Sequence, residues 1–221
     1  MLLAEAKWIG QILTHMKPER LTPLLNVGSG TAEMREKVQP WIDQEIFAPL
    51  RGDGVKVDHL DIQQGEGIDL CGDLYDDEFV ARLGENGYRS LLCCNVLEHV
   101  ENPVAIAAKL EGLIPIGGYL LFSVPNRFPY HPDPIDTMFR PDLEELAGLF
   151  PNSRLVQGTI LDCGTGWDFV EGDLRVLIAK VRRRLSGMKD HGGAKGTASF
   201  LPWLFRSFTL ACALLEKQTD G

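Results

Sequence analysis

A short apolar segment of the sequence runs directly into a glycine-rich turn, and this junction limits the folds that the chain can adopt. Leu21–Val27 has the composition of a buried strand and Gly28-Ser29-Gly30 follows it. Ala32–Ile46 is then predicted to be a helix that Pro40 kinks or divides. Glycines allow a sharp turn and let a ligand approach the backbone closely, while the following helix presents free N–H groups to ligand oxygens. The junction therefore predicts a nucleotide-type site in an α/β fold.

The rest of the chain repeats this alternation of strand and helix. Strands are predicted at Val55–Leu60, Ile68–Cys71, Arg89–Val96, Tyr119–Val124, Arg154–Leu161 and Phe208–Leu215. Helices are predicted at 4–16, Asp76–Leu83, Pro103–Leu113 and Pro141–Phe150. Such alternation favours a Rossmann-like, doubly wound and mostly parallel sheet.

The length of 221 residues suits one domain, 1–221. Its predicted parts are an N-terminal helix at 1–20, a cofactor-binding core at 21–162, a basic helical insertion or lid at 163–206, and a last strand at 207–216. A second glycine motif, Asp162–Gly166, has too little chain after it to open such a core, so we predict a loop there.

Charge and cysteine content limit the location and the partners. The formal net charge of −9 argues against a nucleic-acid backbone as the main partner. The five cysteines have no regular spacing, which is typical of reduced thiols in the cytoplasm and not of a structural zinc site. Neither a signal peptide nor a membrane-spanning run is evident, so we expect a cytoplasmic protein.

A basic stretch stands out against this acidic background. From Arg175 to Arg206 there are eight Lys or Arg residues and one acid, Asp190. Within it, an apolar helical face that begins at Leu174 lies beside clustered arginines, and aromatic residues follow. Residues 174–206 could rest on an anionic membrane surface as a weak peripheral contact. A lid over the substrate cleft is the favoured alternative, because one helix rarely anchors a protein stably.

The spacing of small residues after the turn discriminates between ligands. The dinucleotide fingerprint would place a small residue at position 33, where Glu33 would also repel a pyrophosphate. Here the third small residue is Ala32, which favours a cofactor without phosphates. NAD remains the alternative, as in a nicotinamide-dependent oxidoreductase.

Several further motifs follow the turn in a fixed order. They are Asp61 in His59-Leu60-Asp61-Ile62, Gly72-Asp73-Leu74, Asn95–Pro103 with its Leu-Glu-His-Val core, Gly117-Gly118, and Ser123–Asn126. From about Leu24 to Phe150 the chain resembles class I S-adenosylmethionine (SAM)-dependent methyltransferases of the small-molecule type, similar to methyltransferase type 11. The resemblance implies a seven-stranded sheet with an antiparallel last strand, a helical insertion before that strand, and SAM as the cofactor.

The resemblance also implies which residues bind the cofactor. Asp61 would accept hydrogen bonds from the ribose hydroxyls, Asp73 from the adenine amino group, and Leu74 would cover the ring. Asn95 and Leu97 would line the cleft for the sulfonium and the substrate. The full set is Asn26, Gly28, Ser29, Gly30, Asp61, Ile62, Asp73, Leu74, Asn95 and Leu97. Two departures from the family pattern are Asn26, where an acid is usual, and the long interval to Asp61, which contains the extra segment Glu45–Gly54.

The expected reaction is methyl transfer to a small-molecule or saccharide acceptor, most simply on oxygen. Deprotonation of a hydroxyl suits histidine, and the candidates are His99 and His131. The alternatives are a structural role for His99 and an exposed loop position for His131. No metal requirement is expected, because Asn95 stands where metal-dependent relatives carry a second acid. Arg140 either meets an anionic acceptor or forms a salt bridge at a helix start. A non-catalytic cofactor-binding or scaffold protein is a further alternative.

Overall fold

The structure is a computed structural model that describes residues 1–131, 135–168 and 201–219. Its seven strands form one sheet in the order β3-β2-β1-β4-β5-β7-β6. The strands are β1 Leu24–Val27, β2 Val57–Asp61, β3 Leu70–Cys71, β4 Ser90–Cys94, β5 Tyr119–Arg127, β6 Ser153–Thr165 and β7 Ser207–Lys217. Strands β1 to β5 pair in parallel, whereas β7 is antiparallel to both β5 and β6. The predicted sheet and its antiparallel last strand are confirmed; the predicted helical insertion lies largely outside the described residues.

Six α-helices accompany the sheet in the described part of the chain. They are α1 Leu3–Thr14, α2 Pro18–Leu21, α3 Ala48–Gly52, α4 Asp77–Gly84, α5 Pro103–Gly112 and α6 Leu143–Gly148. Side-chain caps start three of them: Asp76 caps α4, Asn102 caps α5 and Asp142 caps α6.

The segment Ala32–Ile46 is helical and is divided at Pro40, as predicted, but it is not a regular α-helix. The segment instead contains two π-helical turns, Met34–Val38 and Asp43–Phe47, on either side of Pro40. Proline lacks an N–H group and its ring clashes with the preceding turn, so one regular helix cannot continue through this position.

The sheet is covered on both faces. Alternate residues of β4 and β5 point to opposite faces and belong to two apolar clusters. On one face, Leu91 and Phe122 pack with the buried residues of α4, α5 and α6. On the other face, Leu92 and Leu121 pack with the buried residues of α1. Burial on both faces explains why these strands read as continuous apolar runs in the sequence. It also leaves the carboxyl ends of β1 and β4 as the open edge where a ligand can enter.

The topology bears on two sequence-based alternatives. Dinucleotide-binding domains have the strand order 3-2-1-4-5-6, whereas here β7 is inserted antiparallel between β5 and β6. This insertion argues against the NAD-dependent alternative. The glycine motif Asp162–Gly166 is not simply a loop, because β6 continues to Thr165 and pairs irregularly with β7 there.

Within the described residues, no helix combines the length and the apolar character needed to cross a membrane. Residues 174–206, for which a lid is the favoured prediction and a weak membrane contact the alternative, lie mostly outside the described part of the chain.

Candidate active site

The glycine turn joins β1 to the segment that follows it. Gly28 and Gly30 have φ angles of +66° and +60°, a left-handed conformation that disfavours residues with a side chain. A Cβ atom at position 28 would also lie only 2.3 Å from Cγ2 of Val96. The turn therefore requires glycine at position 28 for both conformation and space.

A cavity of about 430 Å³ opens above this turn, in the size range of small-molecule sites. Its lining includes many of the residues predicted from the sequence: Asn26, Gly28, Ser29, Gly30, Asn95, His99 and His131. Asp61, Ile62, Asp73, Leu74 and Leu97 do not line it. The cavity thus brings the glycine turn and both candidate histidines to one space.

Asp61 lies at the end of β2 and contacts the turn directly. Its Oδ2 accepts a 2.8 Å hydrogen bond from the backbone N–H of Gly30, and its Oδ1 accepts one of 3.1 Å from Gln63. The neighbouring Ile62 side chain is 65% exposed. A fixed carboxylate beside an exposed apolar side chain is suited to a ribose and its base.

Asp73 and Leu74 follow β3 at the same edge of the sheet. Asp73 is exposed, and its Oδ1 accepts a hydrogen bond from the N–H of Tyr75. Leu74 packs partly against the core, and its carbonyl accepts a hydrogen bond from Nζ of Lys109.

Leu97 differs from its prediction as a cleft residue. Its side chain is fully buried in the core cluster beneath the sheet edge. The physical reason is the backbone of Asn95, whose φ of 55° turns the chain sharply after β4 and directs position 97 inward.

Asn26 shows what replaces the usual acid at the end of β1. Its Nδ2 lies 3.0 Å from Nδ1 of His59, the residue beside it in β2. Burial, and then the charge of Arg35, lowers the pKa of His59 to about 4. A neutral imidazole can accept the amide hydrogen, so this pair needs no ionised acid at position 26.

A buried carboxylate of the N-terminal helix also lines the cavity, and it was not among the predicted residues. Glu5 is fully buried in α1. Its Oε1 accepts hydrogen bonds from Nδ2 of Asn95, at 2.7 Å, and from the hydroxyl of Ser123. The sequence signal was its position: residues 5, 9 and 12 share the apolar face of α1, where an acid is unusual.

Arg35 is a second cavity residue that was missed. Its guanidinium is almost completely buried and donates hydrogen bonds to the carbonyls of Ser29, Gly30 and Gly67. Desolvation by burial lowers the pKa of this arginine, but a guanidinium stays protonated in proteins. The contacts place a positive charge directly beside the glycine turn.

Glu98, His99 and His131 form a cluster, and the two histidines line the cavity. Oε1 of Glu98 lies 3.6 Å from Nε2 of His99 and 4.0 Å from Nε2 of His131. The two imidazole rings meet edge to face with centroids 5.1 Å apart. Glu98 is fully buried, and burial raises the pKa of its carboxyl group to about 8.

Arg140 adopts the salt-bridged alternative. Its guanidinium binds both oxygens of Asp136, at 3.0 and 2.6 Å. These contacts, together with backbone N–H donors, lower the pKa of Asp136 to about 2 despite burial. Arg140 therefore shapes the loop beside His131.

Comparison with known proteins gives a result at the level of the fold. No protein-family model matches the sequence, and no curated protein matches it significantly. Solved structures do match. A protein from Galdieria sulphuraria, provisionally assigned as a sarcosine dimethylglycine methyltransferase, has 13% identity and a TM-score of 0.60 over 98% of this chain and 85% of that chain.

Two further structures are similar. Coclaurine N-methyltransferase, solved with N-methylheliamine and S-adenosylhomocysteine (SAH), has 14% identity and a TM-score of 0.56, covering 94% of this chain and 70% of that one. The [4+2]-cyclase SpnF has 15% identity and a TM-score of 0.55, covering 95% and 81%. The chain therefore has the class I SAM-dependent methyltransferase fold.

Proposed function

We propose that the chain transfers a methyl group from SAM to an oxygen of a small-molecule or saccharide acceptor. The observation that carries this proposal is the single cavity that runs from Gly28 and Gly30 to His99 and His131. It offers a cofactor site at one end and proton-accepting groups at the other.

The residues at the turn fit SAM, which has no phosphates. The left-handed glycines allow close approach of its methionine part, and Arg35 supplies a buried positive charge favourable to a carboxylate. Asp61 is already oriented by Gly30 and has lone pairs left for two ribose hydroxyls. Ile62 and Asp73 lie at the same sheet edge, where the adenine would follow.

SAM supplies an electrophilic methyl group, and its sulfur keeps the electron pair of the broken bond. The protein must align the acceptor oxygen and remove its proton. His99 and His131 both reach the cavity, and the Nδ1 atom of each is held by oxygen atoms of the loop that follows β5. Each Nε2 lies near Oε1 of Glu98 and carries no proton, so one of them would accept the proton that leaves the hydroxyl when no ion is bound there.

The proposal is tested by two measurements on the full chain. Calorimetric titration should show binding of SAH and none of NADH. Incubation with methyl-labelled SAM should transfer label to members of a panel of hydroxyl compounds, and less to the matching amines.

The possible failures are informative. No binding of SAH would overturn the proposal. Binding without transfer to any acceptor would favour a non-catalytic cofactor-binding protein. Preferential labelling of amines would retain methyl transfer and refute the oxygen acceptor, an outcome in line with the N-methyltransferase named above.

A further inference from the structure

We propose that Glu98, His99 and His131 bind a divalent first-row transition-metal ion at the acceptor end of the cavity. The site itself is inferred from these three side chains, whose ligand atoms all lie within 4.8 Å of one another. The role of the ion in acceptor binding rests on the proposed function.

The carboxylate of Glu98 is the first argument for an ion. Its side chain is fully buried, and among the residues that the structure describes neither oxygen has a hydrogen-bond partner. Burial of an unsatisfied carboxylate is strongly unfavourable, so native proteins pair such groups or use them to bind metals. The histidine nitrogens at 3.6 and 4.0 Å are too far away to be hydrogen-bond partners.

The orientation of the histidines is the second argument. Nδ1 of His99 contacts the carbonyl oxygen of Ile135. Nδ1 of His131 lies 3.1 Å from the carbonyl oxygen of Pro129 and 3.2 Å from Oδ2 of Asp136. Each Nδ1 therefore acts as the donor, and each Nε2 presents a lone pair toward Glu98. Metal-binding histidines are oriented by outer oxygen atoms in this way.

The separations suit one shared ion. Imidazole nitrogens and carboxylate oxygens bind Zn²⁺ at about 2.0–2.2 Å, so two ligands of one ion lie at most roughly 4.4 Å apart. The distances of 3.6 and 4.0 Å from Oε1 of Glu98 satisfy this limit. The ligand atoms of the two histidines lie within 4.8 Å of each other, so a shift of at most a few tenths of an ångström would bring this pair within it. Two nitrogens and one carboxylate favour Zn²⁺, Co²⁺ or Fe²⁺ over Mg²⁺, which prefers oxygen ligands.

The ion would face the acceptor. His99 and His131 line the cavity, whereas Glu98 lies behind them. Coordination positions on the cavity side would stay open, and a hydroxyl bound there would become more acidic because a cation stabilises the oxyanion. With both Nε2 atoms held by the ion, the histidines would no longer act as the base, and the proton would pass to solvent water. The matching acceptor is a hydroxyl compound with a second oxygen close by, able to chelate. This inference departs from the sequence-based expectation that no metal is required.

Metal binding is measured directly, without methyl transfer. The full chain is stripped with a chelator and titrated with Zn²⁺ by calorimetry and with Co²⁺ by visible absorption. We expect one ion per chain and Co²⁺ bands without the near-ultraviolet signature of thiolate ligands. Glu98→Gln, which keeps the shape of the side chain, and His131→Ala should each weaken binding by more than about 100-fold.

Controls separate this inference from the proposed function. His15→Ala removes an exposed histidine outside the cluster and should leave metal binding unchanged. Circular dichroism and SAH titration of each variant show that the fold and the cofactor site persist. Normal SAH binding without saturable metal binding, or with metal binding unaffected by Glu98→Gln, would overturn the metal site and leave the proposed function intact. Metal binding without SAH binding would support the metal site and overturn the proposed function.

Discussion

The backbone N–H of Gly30 donates a 2.8 Å hydrogen bond to Oδ2 of Asp61. This contact joins the turn after β1 to the end of β2, two strands that lie side by side in parallel. The carboxylate is therefore fixed before any ligand arrives, and the ordering of this side chain does not have to occur on binding.

We expect Asp61→Asn to weaken SAH binding by at least about tenfold, because hydrogen bonds to a charged acceptor contribute roughly 1.5–3 kcal/mol. Asp58→Asn is the matched control on the same strand. Asp58 binds the hydroxyl of Tyr88 at 2.9 Å, so its substitution should lower stability and leave SAH affinity unchanged. Calorimetry and urea unfolding measure the two effects; equal SAH affinities for the two variants would refute the ribose role.

Gly28→Ala should destabilise the protein by at least about 3 kcal/mol, through left-handed strain and overpacking against Val96. Gly54→Ala measures the left-handed strain alone. Gly54 has a φ of +76°, and among the described residues other than its chain neighbours no atom lies within 4 Å of the place of the alanine methyl group. It should cost only about 1–2 kcal/mol. In urea unfolding, the double variant Gly28→Ala with Val96→Ala should regain part of the free energy of unfolding that is lost through overpacking in Gly28→Ala. A Gly28→Ala protein as stable as Gly54→Ala would contradict the close packing.

Replacement of Glu5 should show how much the buried contacts of α1 contribute to the free energy of unfolding. Glu5→Ala would leave the amide of Asn95 and the hydroxyl of Ser123 without their buried acceptor, at a cost of roughly 2–4 kcal/mol. Glu5→Gln retains an acceptor oxygen and should cost less. The exposed Glu19→Ala should change the free energy of unfolding by no more than about 0.5 kcal/mol. Similar losses for Glu5→Ala and Glu19→Ala would show that the buried contacts contribute little.

His59 should make stability depend on pH. The pKa is about 4 in the folded protein and about 6.5 in the unfolded chain. Between these values the unfolded chain binds the extra proton, so the free energy of unfolding decreases as pH falls from 6.5 to 4, by on the order of 2–3 kcal/mol. His59→Gln should flatten this decrease in urea unfolding at several pH values, whereas His15→Gln should not. Identical profiles for the wild type and His59→Gln would exclude a neutral, buried His59.

The sheet could be predicted because its central strands carry their own signal. Leu91 and Phe122 lie in runs that are apolar on both faces, and such runs have few stable positions other than the middle of a covered sheet. The glycine turn was predictable for a related reason, since few residues other than glycine adopt the conformation of Gly28.

Other parts of the site depend on contacts that a local pattern does not contain. The direction of Leu97 follows from the left-handed backbone of Asn95, and asparagine adopts that conformation only in certain contexts. Glu5 meets Asn95, and His131 approaches Glu98, across long separations in the chain. Sequence patterns pointed to His99 and His131 separately, whereas their closeness to one buried carboxylate emerges only from the loop after β5.

The insertion of β7 between β5 and β6 has a consequence for synthesis on the ribosome. Strand β5 ends at Arg127, and β4 already flanks it on one side, but its neighbour on the other side, β7, begins only at Ser207. While the nascent chain grows, one backbone edge of β5 and its apolar side chains stay unpaired, because β7 has not yet been translated. Unpaired strand edges of this kind promote aggregation. The protein therefore cannot close its sheet until residue Lys217 has been translated, and a chaperone that shields β5 until then should raise the yield of folded protein.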